Sequence, residues 1–311
     1  MNSLNIIFAG SGEFGLPTLR ALLEAGHKIV GVYTQPDRPA GRGRQLAATP
    51  IAQAAEKMGM PVSRTDDLNS ISPLPSADLM VVIAFGQKIS QAVANHPRLG
   101  SVNLHASLLP KFRGAAPINW AILSGEKITG NSVIRLAQRM DAGAILGQSQ
   151  LTIGEIETAG ELHDRLAIDG AGLICRVAAD LANGTVTEQQ QDESAVTVAP
   201  KLSRETAKLD WSAPAEDVAR RINGLSPWPG CRVRLLDPAG AEISQLALLR
   251  AKAISESPAA SPGSVTENGT IAVGRGSIEV LEVQPGGKRP MPLADFRRGH
   301  RWTAGLTLQS V

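Results

Sequence analysis

Hydrophobic and polar positions along the first half of the chain alternate between two periods. Residues 4–9 form a short apolar run that ends in Gly10. Pro17 opens a stretch with Leu19, Leu22 and Leu23 at helix-face spacing, and Gly26 follows as a C-terminal cap. Residues 29–34 predict a second strand, 51–58 a helix, and 79–84 a fully apolar central strand. Strands alternating with helices predict parallel βαβ units, and so an α/β, Rossmann-like, doubly wound and mostly parallel sheet. This domain is expected to end near Glu188.

The pattern then changes. Residues 189–204 are polar and weakly periodic, which marks a linker. Beyond them, Val218, Ile222 and Leu225 fall at i, i+4 and i+7 of one helix. Short β-like runs follow at 231–236, 243–250, 270–273 and 278–283, separated by turn pairs such as Asp237-Pro238 and Asn268-Gly269. Several short strands with tight turns predict a small C-terminal β-barrel over 205–311. Residues 255–263, rich in Ser, Pro and Ala, read as a loop, and Trp211 and Trp228 as packing anchors.

Composition narrows the class. The chain has 311 residues, 43% hydrophobic and 19% charged, which suits two globular domains. From Lys201 onward it carries 15 Lys and Arg against 11 Asp and Glu, a balance of +4 within an overall +2. Such a bias is compatible with a phosphate backbone, and equally with a solvated mixed surface. Cys175 and Cys231 are far apart and no Cys/His cluster occurs, so neither a disulfide framework nor a metal site is expected. With no signal peptide and no apolar run of membrane-spanning length, a cytoplasmic protein is expected.

Gly10-Ser11-Gly12-Glu13-Phe14-Gly15 is a literal GxGxxG between strand and helix. A dinucleotide site would also need an acidic residue ending the second strand, and that strand ends Val32-Tyr33-Thr34. A tight turn with close strand–helix packing accounts for the glycines equally well.

The stretch Ser101-Val102-Asn103-Leu104-His105-Ala106-Ser107-Leu108-Leu109-Pro110 carries more chemistry. On a strand, Asn103 and His105 share one face. An amide that donates to a developing oxyanion, beside an imidazole that moves a proton near neutral pH, suits acyl transfer. Asp141, in Arg139-Met140-Asp141-Ala142-Gly143 after a predicted strand at 132–136, is the candidate carboxylate to orient that imidazole.

Asn-x-His, then Ser-Leu-Leu-Pro, then an Asp 36 residues beyond the His, resembles the folate-dependent formyltransferase superfamily. Thr34-Gln35-Pro36-Asp37-Arg38-Pro39-Ala40-Gly41-Arg42-Gly43, Lys111-Phe112-Arg113-Gly114-Ala115-Ala116-Pro117-Ile118, Lys201-Leu202-Ser203, Pro227-Trp228-Pro229 and Asp295-Phe296-Arg297-Arg298-Gly299 are similar to its branch acting on charged tRNA. The resemblance runs in order over nearly the whole chain. It implies a formyltransferase domain over 1–188 and an OB-like tRNA-binding domain over 205–311, joined by 189–204. The reaction it implies is transfer from 10-formyltetrahydrofolate, a co-substrate, to the amine of initiator methionyl-tRNA, without a metal and in a monomer.

The same resemblance implies residue roles. Asn103 would hydrogen-bond the formyl oxygen, His105 would stabilise its charge and relay the proton, and Asp141 would set the protonation of His105 and help deprotonate the amine. Phe85, Gly86, Ser107, Leu108, Leu109, Pro110, Gln138 and Met140 would line the folate pocket, largely through backbone groups. Arg38, Arg42 and Arg44, with Lys201, Arg204 and Lys208, would meet the tRNA, and Arg297, Arg298 and Arg301 could contact phosphates. One departure stands out: where the family continues from Met-Asp-x-Gly into Leu-Asp-Thr-Gly, this chain runs Asp141-Ala142-Gly143-Ala144-Ile145-Leu146, a shorter connection. An aminosugar nucleotide or glycinamide ribonucleotide as the amine, a nicotinamide oxidoreductase and a non-catalytic RNA-binding module are the competing readings.

Overall fold

The computed structural model describes residues 3–40 and 45–311. Internal contacts divide the chain into two compact units, one of Met1–Pro117, Thr129–Leu151 and His163–Val198, the other of Ile118–Ile128, Thr152–Leu162 and Ala199–Val311.

In chain order the first elements are β1 (Asn5–Gly10), α1 (Leu16–Glu24), β2 (Lys28–Thr34), β3 (Arg38–Ala40), β4 (Gln45–Ala47), α2 (Pro50–Lys57), β5 (Val62–Arg64), β6 (Leu79–Ile83), α3 (Gln91–Ala94) and β7 (Ser101–His105). Then come β8 (Arg113–Gly114), α4 (Pro117–Leu123), β9 (Ile128–Arg135), β10 (Ile145–Thr152) and α5 (Ala159–Asn183). The first unit is built on a seven-stranded sheet in the order β10-β9-β7-β6-β1-β2-β5. β1 is parallel to β2 and β6, and β6 to β7, whereas β9 runs antiparallel to β7. The expected doubly wound, mostly parallel sheet is thus present, with its order reversing beside β1.

Local chemistry explains the elements. All five residues of β6 are apolar and buried, as a strand covered on both faces requires. Burial of each such side chain contributes about 1.5–3 kcal/mol. Thr49 caps α2 by accepting from Ala52 N, and Pro50 occupies its first turn. The 25-residue α5 has no counterpart in the sequence reading. Its start carries a capping box: Glu161 accepts from the Thr158 backbone and hydroxyl at 3.0 Å each, and Thr158 Oγ1 accepts from Glu161 N. Leu166, Ile174, Ala178 and Leu181 form its buried stripe.

The GxGxxG segment is a packing device. A Cβ on Gly10 would come within 2.8 Å of the Ile83 carbonyl oxygen, so β1 and β6 meet here without room for a side chain. Ser11 Oγ accepts from Gln35 N at 3.1 Å and bonds the Thr34 hydroxyl, filling the turn with the protein's own groups.

The second unit continues with β11 (Val198–Ala199), α6 (Ala215–Gly224), β12 (Cys231–Leu236), β13 (Glu242–Ile254), β14 (Ile271–Ala272), β15 (Ser277–Pro285), β16 (Met291–Pro292), α7 (Leu293–Gly299) and β17 (Thr307–Ser310). Its sheet has the order β14-β15-β13-β12-β17, with β16 on β15. Residues 263–265 join its two end strands: Gly263 N donates to Ala272 O, and Leu308 N to Gly263 O, each at 2.8 Å. The sheet therefore curls into the barrel-like form expected. Trp211 packs against residue 263, whereas Trp228 is 62% exposed. That corrects its reading as an anchor: its ring lies at the surface, beside the exposed Pro227. Both cysteines are free thiols. Among the described residues no helix is long and apolar enough to cross a membrane.

Candidate active site

β7 delivers two polar side chains to the C-terminal edge of the parallel sheet. Its residues alternate strictly, so the buried Val102 and Leu104 face away from Asn103 and His105. Asn103 is the one partly exposed residue of the strand, and His105 is buried. The strand is locked on both sides, Asn103 pairing with Val82 of β6 and with Ile134 of β9.

Two loops close on the imidazole. His105 Nε2 lies 2.9 Å from the carbonyl oxygen of Phe112. A carbonyl only accepts, so Nε2 carries a hydrogen and Nδ1 of the neutral ring holds the lone pair. Nδ1 faces Asp141 Oδ1 at 3.7 Å, beyond hydrogen-bond length. The other carboxylate oxygen, Oδ2, accepts from Gly114 N at 2.9 Å. Asp141 is thereby fixed in position with one oxygen left for the histidine.

Backbone conformation concentrates here. Ala84, Phe112 and Asp141 are the non-glycine residues with positive φ among those described, at 46°, 61° and 54°. They lie in the loops after β6, β7 and β9, and Phe112 and Asp141 come together at the His105 imidazole. Such conformations cost roughly 1–3 kcal/mol each and persist only where the surroundings over-determine them. The β9–β10 loop has no slack: a Cβ on Gly143 would overlap the Arg135 carbonyl oxygen, so the short connection after Asp141 demands glycine.

Other expected site residues divide by exposure. Phe85 packs into the cluster of Ile7, Tyr33, Met80 and Val82, and Leu109 against Ile134 and Ile145. Ser107 is fully buried; its Oγ donates to Lys111 O, and its carbonyl accepts from Ser132 Oγ, at 2.6 Å each. Leu108 and Pro110 are half-buried. These residues shape the loop and leave mainly backbone to a ligand. Gly86, Gln138 and Met140 are exposed, Met140 at 76%. Gln35, a residue not singled out from the sequence, holds the Phe85 carbonyl through Nε2 at 2.8 Å.

The expected basic residues fall in both units. Arg38, in the β3–β4 hairpin, lies 3.8 Å from Asp66. Arg42 and Arg44 lie outside the described residues. Lys201 and Arg204 are exposed, and Lys208 pairs with Glu205 at 2.8 Å. Arg298 pairs with Asp295, and Arg297 and Arg301 are exposed.

Sequence reasoning also passed over residues 189–197. Gln191 Nε2 donates to the carbonyls of Asp141 and Gly143 at 2.7 and 2.8 Å, and its Oε1 accepts from the buried Arg113 guanidinium at 2.7 and 3.0 Å. Glu193 pairs with both Arg113 and Arg139, and these guanidinium groups hold its carboxyl down to about 2. In a polar run that includes three consecutive glutamines, nothing in the sequence distinguishes Gln191 from its neighbours.

Residues 1–178 match the family described as formyl transferase, and residues 201–301 match the formyl transferase C-terminal domain. The chain is 43% identical over 305 residues to a methionyl-tRNA formyltransferase of Methylococcus capsulatus, covering 96% of this chain and 97% of the relative. It is 42% identical over 313 residues to one from a Chelativorans species, covering 98% and 99%. The fold resembles HypX of Aquifex aeolicus solved with tetrahydrofolic acid, at TM-score 0.63 and 17% identity, covering 95% of this chain and 47% of that one. It also resembles an N-formyltransferase of Helicobacter canadensis solved with folinic acid and dTDP-3-aminofucose, at TM-score 0.66 and 14% identity, covering 91% and 99%.

Proposed function

The chain belongs to the formyl transferase family, among the methionyl-tRNA formyltransferases, and on that premise we propose that it moves a formyl group from 10-formyltetrahydrofolate to the free amino group of initiator methionyl-tRNA. The observation that carries the chemistry is the imidazole of His105 held between the Phe112 carbonyl and Asp141, two residues after the partly exposed Asn103.

The residues present fit a folate. Gly86 and residues 137–140, which lead into Asp141, are exposed, while the side chains of Phe85, Ser107 and Leu109 are turned into the core and leave their backbone groups to a ligand. A flat heterocycle with donors and acceptors along its rim is recognised by such backbone groups. Bound there, it supplies a formyl carbonyl on a nitrogen leaving group.

The chain's own groups then divide the work. The Asn103 amide donates to the formyl oxygen as negative charge builds on it. His105 Nδ1, the nitrogen with the lone pair, takes the proton that the amine sheds as its new bond to the formyl carbon forms. Asp141 Oδ1 faces that proton and stabilises the imidazolium, whose charge in turn favours the oxyanion. The same proton passes to the departing nitrogen, so the residues end as they began. General acid–base help of this kind contributes about 10²–10⁴-fold, and one oxyanion donor about 10²–10³-fold.

For the nucleic acid, Arg38 of the β3–β4 hairpin, with Arg42, Arg44, Lys201, Arg204 and Lys208, supplies cations to the phosphates and acceptor end. The test is formyl transfer to charged initiator methionyl-tRNA, with uncharged tRNA and His105→Ala as controls. Transfer that requires the methionyl group and collapses in the variant supports the reading; equal activity of the variant removes His105 from it.

A further inference from the structure

The connector that follows the first unit's last long helix touches both loops that hold the histidine. At one end, Gln189 pairs with Ile145 through two backbone hydrogen bonds of 2.8 and 2.9 Å. Next, Gln191 uses both amide hydrogens on the Asp141 and Gly143 carbonyls and its oxygen on Arg113. Further on, Thr197 Oγ1 accepts from Phe112 N at 2.8 Å and Thr197 O accepts from Arg113 N at 2.9 Å. Phe112 and Asp141 are the two residues that face the nitrogens of His105, and both have positive φ.

We propose that residues 189–197 form a positioning strap, in which Gln191 holds the Asp141 loop and Thr197 holds the Phe112 loop, so that both partners of the catalytic imidazole are set from one segment. Neither residue touches a reacting atom. The Gln191 amide hydrogens and the Thr197 hydroxyl all bind backbone groups of these two positive-φ loops. Arg113 ties the two ends together, because its guanidinium is shared between Gln191 and Glu193 while its own backbone N–H binds Thr197. A displacement of about 1 Å in such a site costs on the order of 10²-fold in rate. The inference rests on the assignment of His105 and Asp141 to formyl transfer.

Gln191→Ala, Gln191→Glu, Thr197→Val and Thr197→Ser test it in the full-length chain. Glutamate keeps an acceptor for Arg113 but has no hydrogens for the two carbonyls. The strap predicts that Gln191→Ala, Gln191→Glu and Thr197→Val lower kcat about ten- to a hundredfold with KM for both substrates within about threefold. Thr197→Ser, which retains the hydroxyl, recovers most of the loss seen in Thr197→Val. A second readout needs no substrate: the ¹⁵N resonances of the His105 imidazole should shift in Gln191→Ala and Thr197→Val and return in Thr197→Ser. Unchanged imidazole resonances in folded Gln191→Ala and Thr197→Val would overturn the strap, as would unchanged kcat in an active wild type. Shifted resonances in a wild type that formylates no amine would keep the strap and remove only the proposed reaction.

Discussion

Asp141 divides its carboxylate between two partners: Oδ2 is bound to the Gly114 backbone at 2.9 Å, and Oδ1 faces His105 Nδ1 at 3.7 Å. The division separates placement from chemistry. Asp141→Asn should keep the first function, because an amide oxygen still accepts from Gly114, and lose the negative charge that the imidazolium needs. We expect kcat to fall about 10²–10⁴-fold with the thermal midpoint within a few degrees of wild type. Steady-state kinetics and a melting curve on one sample decide it. A loss below about tenfold would leave Asp141 a structural role only.

Asn103 shares a strand face with His105 but serves the oxygen rather than the proton. Asn103→Ala is expected to cost about 10²–10³-fold in kcat and little in KM. Combined with His105→Ala, the losses should be far from additive, since the two act on one transition state. Fully multiplicative losses would mean that the residues act on separate steps.

Gly143→Ala is a mild substitution by composition and a severe one here, because the new methyl would overlap the Arg135 carbonyl oxygen. The loop must move, and Asp141 with it. The expected result is a destabilisation of roughly 2 kcal/mol or more together with lost activity. Gly59→Ala is the control, since a Cβ there meets nothing within 4 Å. That glycine has positive φ, so about 1 kcal/mol of strain remains as its background. Equal melting points for the two variants would contradict the account of this turn.

In the second unit, Arg250 bonds Glu161 at 2.6 Å and holds its carboxyl down to about 2, below the usual value of 4.5. A depressed carboxyl contributes stability above its unfolded value, and loses it as pH falls through the folded one. Arg250→Ala should therefore flatten the acid-side decline of the unfolding midpoint between about pH 4.5 and 2. Because Glu161 is about half exposed, the coupling at neutral pH should stay below about 1 kcal/mol. An unchanged acid slope would show that other carboxylates govern it.

The sheet was legible because its strands carry their own signature: the apolar run of β6 and the alternation of β7 need no tertiary context. The long helix α5 was not read, although Thr158 and Glu161 stand at capping-box spacing; Gly160, Gly170 and Gly172 interrupt its pattern. Asn103 and His105 could be singled out from the alternation of their strand, and Asp141 joined them as the family resemblance implies. Gln191 and Thr197 could not. Their significance comes from carbonyls and amides that every residue possesses, and only the fold brings these within reach. Trp228 erred the other way, its size suggesting a burial that the fold does not give it.

The most direct measurement is single-turnover formyl transfer from 10-formyltetrahydrofolate, with initiator methionyl-tRNA and a dTDP-aminosugar offered in parallel. The account predicts rapid formylation of the methionyl amine, none of the sugar, and loss of the reaction in His105→Ala. Transfer to the sugar with none to methionyl-tRNA would contradict it, leaving the site's chemistry in place and its acceptor wrongly assigned.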